Sequence, residues 1–250
     1  MNAPAAKAHP GERIAKVIAR AGVCSRRDAE RLIEDGRVAV DGKTIRSAAL
    51  NVTEANTITV DGEALATPER ARLWRFHKPR GVITAARDPQ GRTTIAALMP
   101  HDLPRVMPIG RLDYASEGLL LLTNDGELKR HLELPATGWI RRYRARVYGE
   151  IDPQALKALA KGINVEGVQY GPIEVEVEHA GAARNAWLGV SLREGKNREV
   201  RKVLAHLGLQ VNRLIRVAYG PFQLGALKEG GVEEVGAKVL KEQVGKVMQK

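Results

Sequence analysis

In Gly110-Arg111-Leu112-Asp113-Tyr114-Ala115-Ser116-Glu117-Gly118-Leu119-Leu120-Leu121-Leu122-Thr123-Asn124-Asp125-Gly126 a polar turn runs directly into four consecutive leucines. The leucines read as a short strand that is buried and anchors the turn before it. Asp113, beside Arg111, then has the layout of a site residue presented by a rigid element. Taken alone, an Asp before a strand is more often a turn or cap residue.

C-terminal to this stretch, β-branched runs alternate with a few helices. Arg144-Ala145-Arg146-Val147-Tyr148 and Ile173-Glu174-Val175-Glu176-Val177 read as strands. Asp152-Pro153 is a helix start, an N-cap followed by proline, and Gly162 a stop. Asn197 is expected to cap a helix with the apolar face Val200, Val203, Leu204 and Leu207, ended by Gly208. N-terminal to it, Ile14, Val17, Ile18 and Ala21 fit a first helix stopped by Gly22. Ser25 caps a second that continues through Ala29, Leu32 and Ile33 to Gly36. Two strand pairs follow, turned at Asp41-Gly42 and Asp61-Gly62. The expected fold class is α+β: a small helix-helix-β domain over residues 11–70, then a larger, mostly antiparallel mixed-sheet domain over 71–250. Residues 1–10 are expected to form a flexible tail.

The 250 residues carry 40 Lys and Arg against 29 Asp and Glu, a formal charge of +11, which favours a polyanionic partner such as nucleic acid. One cysteine, Cys24, excludes an intramolecular disulfide and a multi-cysteine zinc site. The six histidines are scattered, so no metal site and no cofactor are expected. No apolar run approaches a signal peptide or a membrane span, and the chain is expected in the cytoplasm.

Arg20, Arg26, Arg27, Arg31 and Arg37 crowd the first domain, a density of guanidinium groups suited to phosphate and structured RNA. The run from Arg20 through Ser25, Arg26 and Arg27 to Gly42 resembles the S4 RNA-binding domain. The Gly110–Gly126 stretch resembles the catalytic motif of the pseudouridine synthases that act on ribosomal RNA, in the branch with an S4 domain in front. His77-Lys78-Pro79-Arg80-Gly81-Val82, Tyr143 within Arg141-Arg142-Tyr143-Arg144-Ala145, and Glu194-Gly195-Lys196-Asn197-Arg198-Glu199-Val200-Arg201 match further family motifs in order. Asp88-Pro89-Gln90-Gly91-Arg92 and the run Arg213–Pro221 look most like the type B enzymes acting on 23S ribosomal RNA.

The resemblance implies isomerisation of a uridine, with Asp113 attacking the nucleoside, Arg111 filling the gap left by the flipped base and Tyr143 holding that base. Helical spacing lets Arg201 reach inward, and it is assigned to pairing with Asp113. Ser25 and the five arginines, with Lys78, Arg80, Lys196, Asn197 and Arg198, are the expected RNA contacts. The expected partner is ribosomal RNA, 23S rRNA or a large-subunit assembly intermediate, met by a monomer. Two readings compete: a carboxylate pair of Asp113 with Glu117 or Asp125, for glycoside or phosphodiester hydrolysis, and a non-enzymatic ribosome-assembly factor.

Overall fold

The computed structural model describes residues 11–134, 137–180 and 184–248; the tail expected over 1–10 lies outside them. The chain divides into two compact units at Arg70/Ala71.

In the first unit, helices Ile14–Arg20 and Arg26–Glu34 pack on a four-stranded sheet in the order Lys43–Ile45, Val38–Val40, Ile58–Val60, Glu63–Ala64. The Ser25 hydroxyl accepts from the Asp28 amide (3.1 Å) and donates to the Asp28 carboxylate (2.6 Å), fixing the start of the second helix. Both hairpins turn with two successive residues at positive φ, Asp41-Gly42 and Asp61-Gly62, the geometry that matches strand twist. Ile14, Ile18, Ala29, Ile33 and Val38 form the core.

The second unit is built on a nine-stranded sheet. Its main path runs Ile173–Ala180, Asn185–Leu192, Arg141–Tyr148, Gln210–Tyr219, Glu117–Thr123, Leu73–Lys78, Val232–Glu234. Pairing is antiparallel except where Ile215 and Arg216 run parallel to Glu117 and Gly118. The leucine strand Glu117–Thr123 is buried along its whole length. Leu119 and Leu121 face a core shared with helices Gly126–Glu133 and Ala237–Met248, whereas Leu120 and Leu122 face a second core with Trp74, Phe76 and Leu112. Burial on both faces is why the strand reads as an unbroken apolar run rather than an alternation. A third core gathers Ala145, Val147, Leu188 and Leu214 with Leu156 of helix Pro153–Ala158 and Val200, Val203 and Leu204 of helix Glu199–His206.

One expectation needs correction. Asn197 does not cap its helix: the N-cap is Arg198, in left-handed backbone (φ 52°, ψ 30°) with no side-chain cap. Among the described residues, no helix is long and apolar enough to cross a membrane.

Candidate active site

A cleft of about 830 Å³ opens in the second unit, where the Gly110–Ser116 loop, the strand carrying Tyr143 and the Arg193–Glu199 segment meet. Asp113 lies on its wall with a third of its side chain exposed.

The loop presenting Asp113 is tied down along its backbone. The Gly110 amide donates to Glu133 Oε1 (2.7 Å). The Thr84 hydroxyl donates to the Leu112 carbonyl (2.8 Å) and accepts from the Leu112 amide (3.2 Å). Lys78 Nζ donates to the carbonyls of Pro79 (2.9 Å), Asp113 (3.2 Å) and Ser116 (2.8 Å). Arg201 Nη2 donates to the Ala115 carbonyl (2.9 Å) while its Nη1 reaches that of Val211 (2.8 Å). Cations thus hold the loop by its carbonyls, and the Asp113 carboxylate is left at the cleft. Its nearest ion-pair partner is Arg198, with Nη1 at 3.9 Å from Oδ2.

These contacts revise three assignments. The direct pairing with Asp113 falls to Arg198, because both terminal nitrogens of Arg201 are turned to carbonyls, Ala115 of the loop and Val211 of the strand Gln210–Tyr219. Lys78, expected at the RNA, has no exposed surface, and burial pushes its pKa down to about 8 against the opposing pull of Asp113 and Glu117. The Ser25 hydroxyl is engaged in its helix cap.

Tyr143, half-buried between two cores, and Arg111, exposed on its loop, both line the cleft with Lys196, Asn197 and Arg198. Arg80 is exposed. In the first unit, Arg20, Arg26, Arg27, Arg31 and Arg37 are all exposed. Arg20 pairs with Glu12 (2.7 Å) and Arg37 grips Asp61 through two nitrogens (2.7 and 2.6 Å).

Sequence reasoning missed Thr84, Glu133, Arg141, Arg216 and Glu199, all of which line the cleft; Arg141, Arg216 and Glu199 are also nearly closed off from solvent. Arg141 donates to Tyr219 Oη (3.0 Å), and Arg216 to the Leu119 carbonyl (2.7 Å). Both stood in the quoted motifs, but on arginine-bearing strands, Arg141–Tyr148 and Gln210–Tyr219, where nothing local marks them as buried. The rival carboxylates are committed elsewhere. Glu117 pairs with Arg213 (2.6 Å), and Asp125 caps helix Gly126–Glu133 through the Glu127 and Leu128 amides.

A family model of RNA pseudouridylate synthases matches residues 72–206, and one of the S4 domain matches 12–58. The chain belongs to the RNA pseudouridylate synthase family and is a pseudouridine synthase with an S4 domain. A Rickettsia felis protein named uncharacterized RNA pseudouridine synthase is 46% identical over 231 residues, covering 92% of this chain and 100% of that one. Proteins named ribosomal large subunit pseudouridine synthase B are also similar. That of Yersinia pestis is 39% identical over 237 residues (91% of this chain, 74% of it), and that of Shigella flexneri 40% over 233 (90% and 79%). A crystal structure described as a pseudouridylate synthase shares the fold at a TM-score of 0.67 and 24% identity, covering 94% of this chain and 100% of that one.

Proposed function

We propose that this enzyme converts a uridine of large-subunit ribosomal RNA into pseudouridine, with Asp113 as the group that attacks the nucleoside. The observation that carries this reading is a carboxylate at the cleft, opposite the Arg198 guanidinium, on a loop whose backbone is held by Glu133, Thr84, Lys78 and Arg201. A carboxylate held in this way is pre-oriented for chemistry at a sugar carbon. The similarity to proteins named ribosomal large subunit pseudouridine synthase B supports the choice of RNA. The enzyme is read as a cytoplasmic monomer acting on 23S rRNA or an assembly intermediate.

Isomerisation breaks the C1′–N1 bond, turns the base and joins C1′ to C5, expelling the C5 hydrogen. Asp113 either adds to C1′ or takes a sugar proton to give a glycal. The target leaves its stack at a cost of a few kcal/mol. Arg111, exposed on the same loop, fills the gap, and Tyr143 in the cleft wall holds the extruded base. Arg198 stands opposite the carboxylate as its counter-charge, and Arg201 orients it through Ala115. The exposed arginines of the S4 unit contribute phosphate contacts.

Tritium release from rRNA labelled at C5 of uridine tests the reading. The wild type is expected to release label at unchanged RNA length, while Asp113→Asn folds, binds RNA and releases none. Activity retained by Asp113→Asn would remove Asp113 from the role. Shortened RNA or free uracil would point to hydrolysis instead.

A further inference from the structure

The turn Lys196-Asn197-Arg198-Glu199 lines the cleft and carries the guanidinium nearest Asp113. Arg198 sits there in left-handed backbone, a conformation that residues with a Cβ rarely adopt and that persists only where the surroundings enforce it. The enforcement comes from Glu199. Its amide donates to the Lys196 carbonyl (3.3 Å), and its carboxyl Oε2 accepts from the Lys196 amide (2.8 Å), so the turn is closed from both directions. This is the reciprocal closure of a capping box, made one turn early and around a strained residue.

The position of that carboxyl is costly. Glu199 is 3% exposed, and its Oε1 is buried without a hydrogen-bond partner. The charged groups facing it are Glu194 and Lys196. Glu194 itself accepts from the Gly171 amide (2.6 Å) and from Lys196 Nζ, which also donates to the Gln169 carbonyl (2.8 Å). A residue needed only to start a helix has no reason to be walled in beside a second carboxylate.

We propose that Glu199 is a positioning residue for the reaction: its buried carboxyl group closes the Lys196–Glu199 turn and so fixes the Arg198 guanidinium in front of Asp113. Burial first, then the neighbouring Glu194 carboxylate, lifts Glu199 to about 7 against the pull of the Lys196 amide. Below neutrality the group is mainly the neutral acid, which tolerates both the burial and Glu194. As pH rises past 7 it ionises beside Glu194, the two carboxylates repel, and the turn loosens. This inference rests on Asp113 as the attacking group, but the state of the turn can be read without it.

The test combines kcat and KM for pseudouridine formation across pH with amide hydrogen exchange of the 196–198 segment, for wild type, Glu199→Gln and Glu199→Ala. The glutamine carbonyl can still accept from the Lys196 amide, and its NH2 can donate toward Glu194. Glu199→Gln is therefore expected to keep wild-type exchange and a kcat within about threefold at pH 7. It should also move the onset of alkaline loss from near 7 toward 8, where Lys78 titrates. Glu199→Ala should exchange faster only in that segment and lose roughly tenfold or more in kcat with KM little changed. Wild-type exchange and kcat in Glu199→Ala, or an unchanged alkaline limb in Glu199→Gln, would overturn the proposal. Should the alanine variant fail to fold, the glutamine variant still decides. An active Asp113→Asn would sink the catalytic reading alone, since exchange at 196–198 reports on Glu199 either way.

Discussion

Lys78 shows how much one buried charge can organise. A fully enclosed ammonium is costly unless its protons are taken up, and here the carbonyls of Pro79, Asp113 and Ser116 take them. Lys78→Met keeps the apolar stem and removes the donors, leaving the loop without its central tie. The expected result is a folded enzyme whose kcat falls about 10–100-fold, since small misplacements of a reacting group are costly; tritium release measures it. A pH signature accompanies the change. The native pKa of Lys78, about 8, lies below its ordinary value of 10.5, so the unfolded chain holds a proton that the native state gives up. Wild-type stability therefore gains from this group as pH rises from about 8 to 10.5, and the gain should vanish in Lys78→Met when denaturant unfolding is compared across that window. Neither role could be read from His77-Lys78-Pro79-Arg80, because a lysine beside an arginine looks like a phosphate contact until burial is known. The place of Asp113 and Arg111 at a cleft, by contrast, is what their motif leads one to expect.

Among the elements, the leucine strand decides the site's geometry. At its start it runs parallel to Gln210–Tyr219 so closely that a Cβ on Gly118 would lie 2.4 Å from the Arg216 carbonyl oxygen, and Gly118 has φ +103°. Gly118→Ala is expected to cost on the order of 2–4 kcal/mol in urea unfolding, through backbone strain and the forced opening of that pairing. Loss of less than about 0.5 kcal/mol would mean that the strands part easily there. The strand itself was visible as an apolar run. The helix Gly126–Glu133 after it was not, although Asp125 caps it and Glu133 holds Gly110. Eight residues with two buried leucines, Leu128 and Leu132, give too little periodicity to stand out. Helix Glu199–His206 was found by its apolar face, but its start was misplaced: Asn197 is a good cap by residue type, whereas the turn is closed by Glu199 from within.

Across the whole molecule, a charge of +11 and an S4 unit in which Arg20, Arg26, Arg27, Arg31 and Arg37 are all exposed argue for phosphate contacts beyond the cleft. Removing residues 1–70 is expected to weaken RNA binding and flatten its dependence on salt, as read from affinity against salt concentration. Equal binding by the truncated chain would assign RNA recognition to the second unit alone. The sequence by itself determined the α+β class, the helix-helix-β order of the first unit, the buried leucine strand and the candidate residues Asp113, Tyr143 and Arg111. These follow from local periodicity, turn residues and contiguous motifs, which need no knowledge of distant contacts. Only the tertiary structure decided which cation meets Asp113, that Lys78 and Arg201 bind carbonyls instead of RNA or carboxylate, and that Glu199 is buried. Those outcomes depend on residues far apart in the chain, such as Lys78 with Ser116 and Arg201 with Ala115, and on desolvation, which a side chain acquires only when the strands around it have packed.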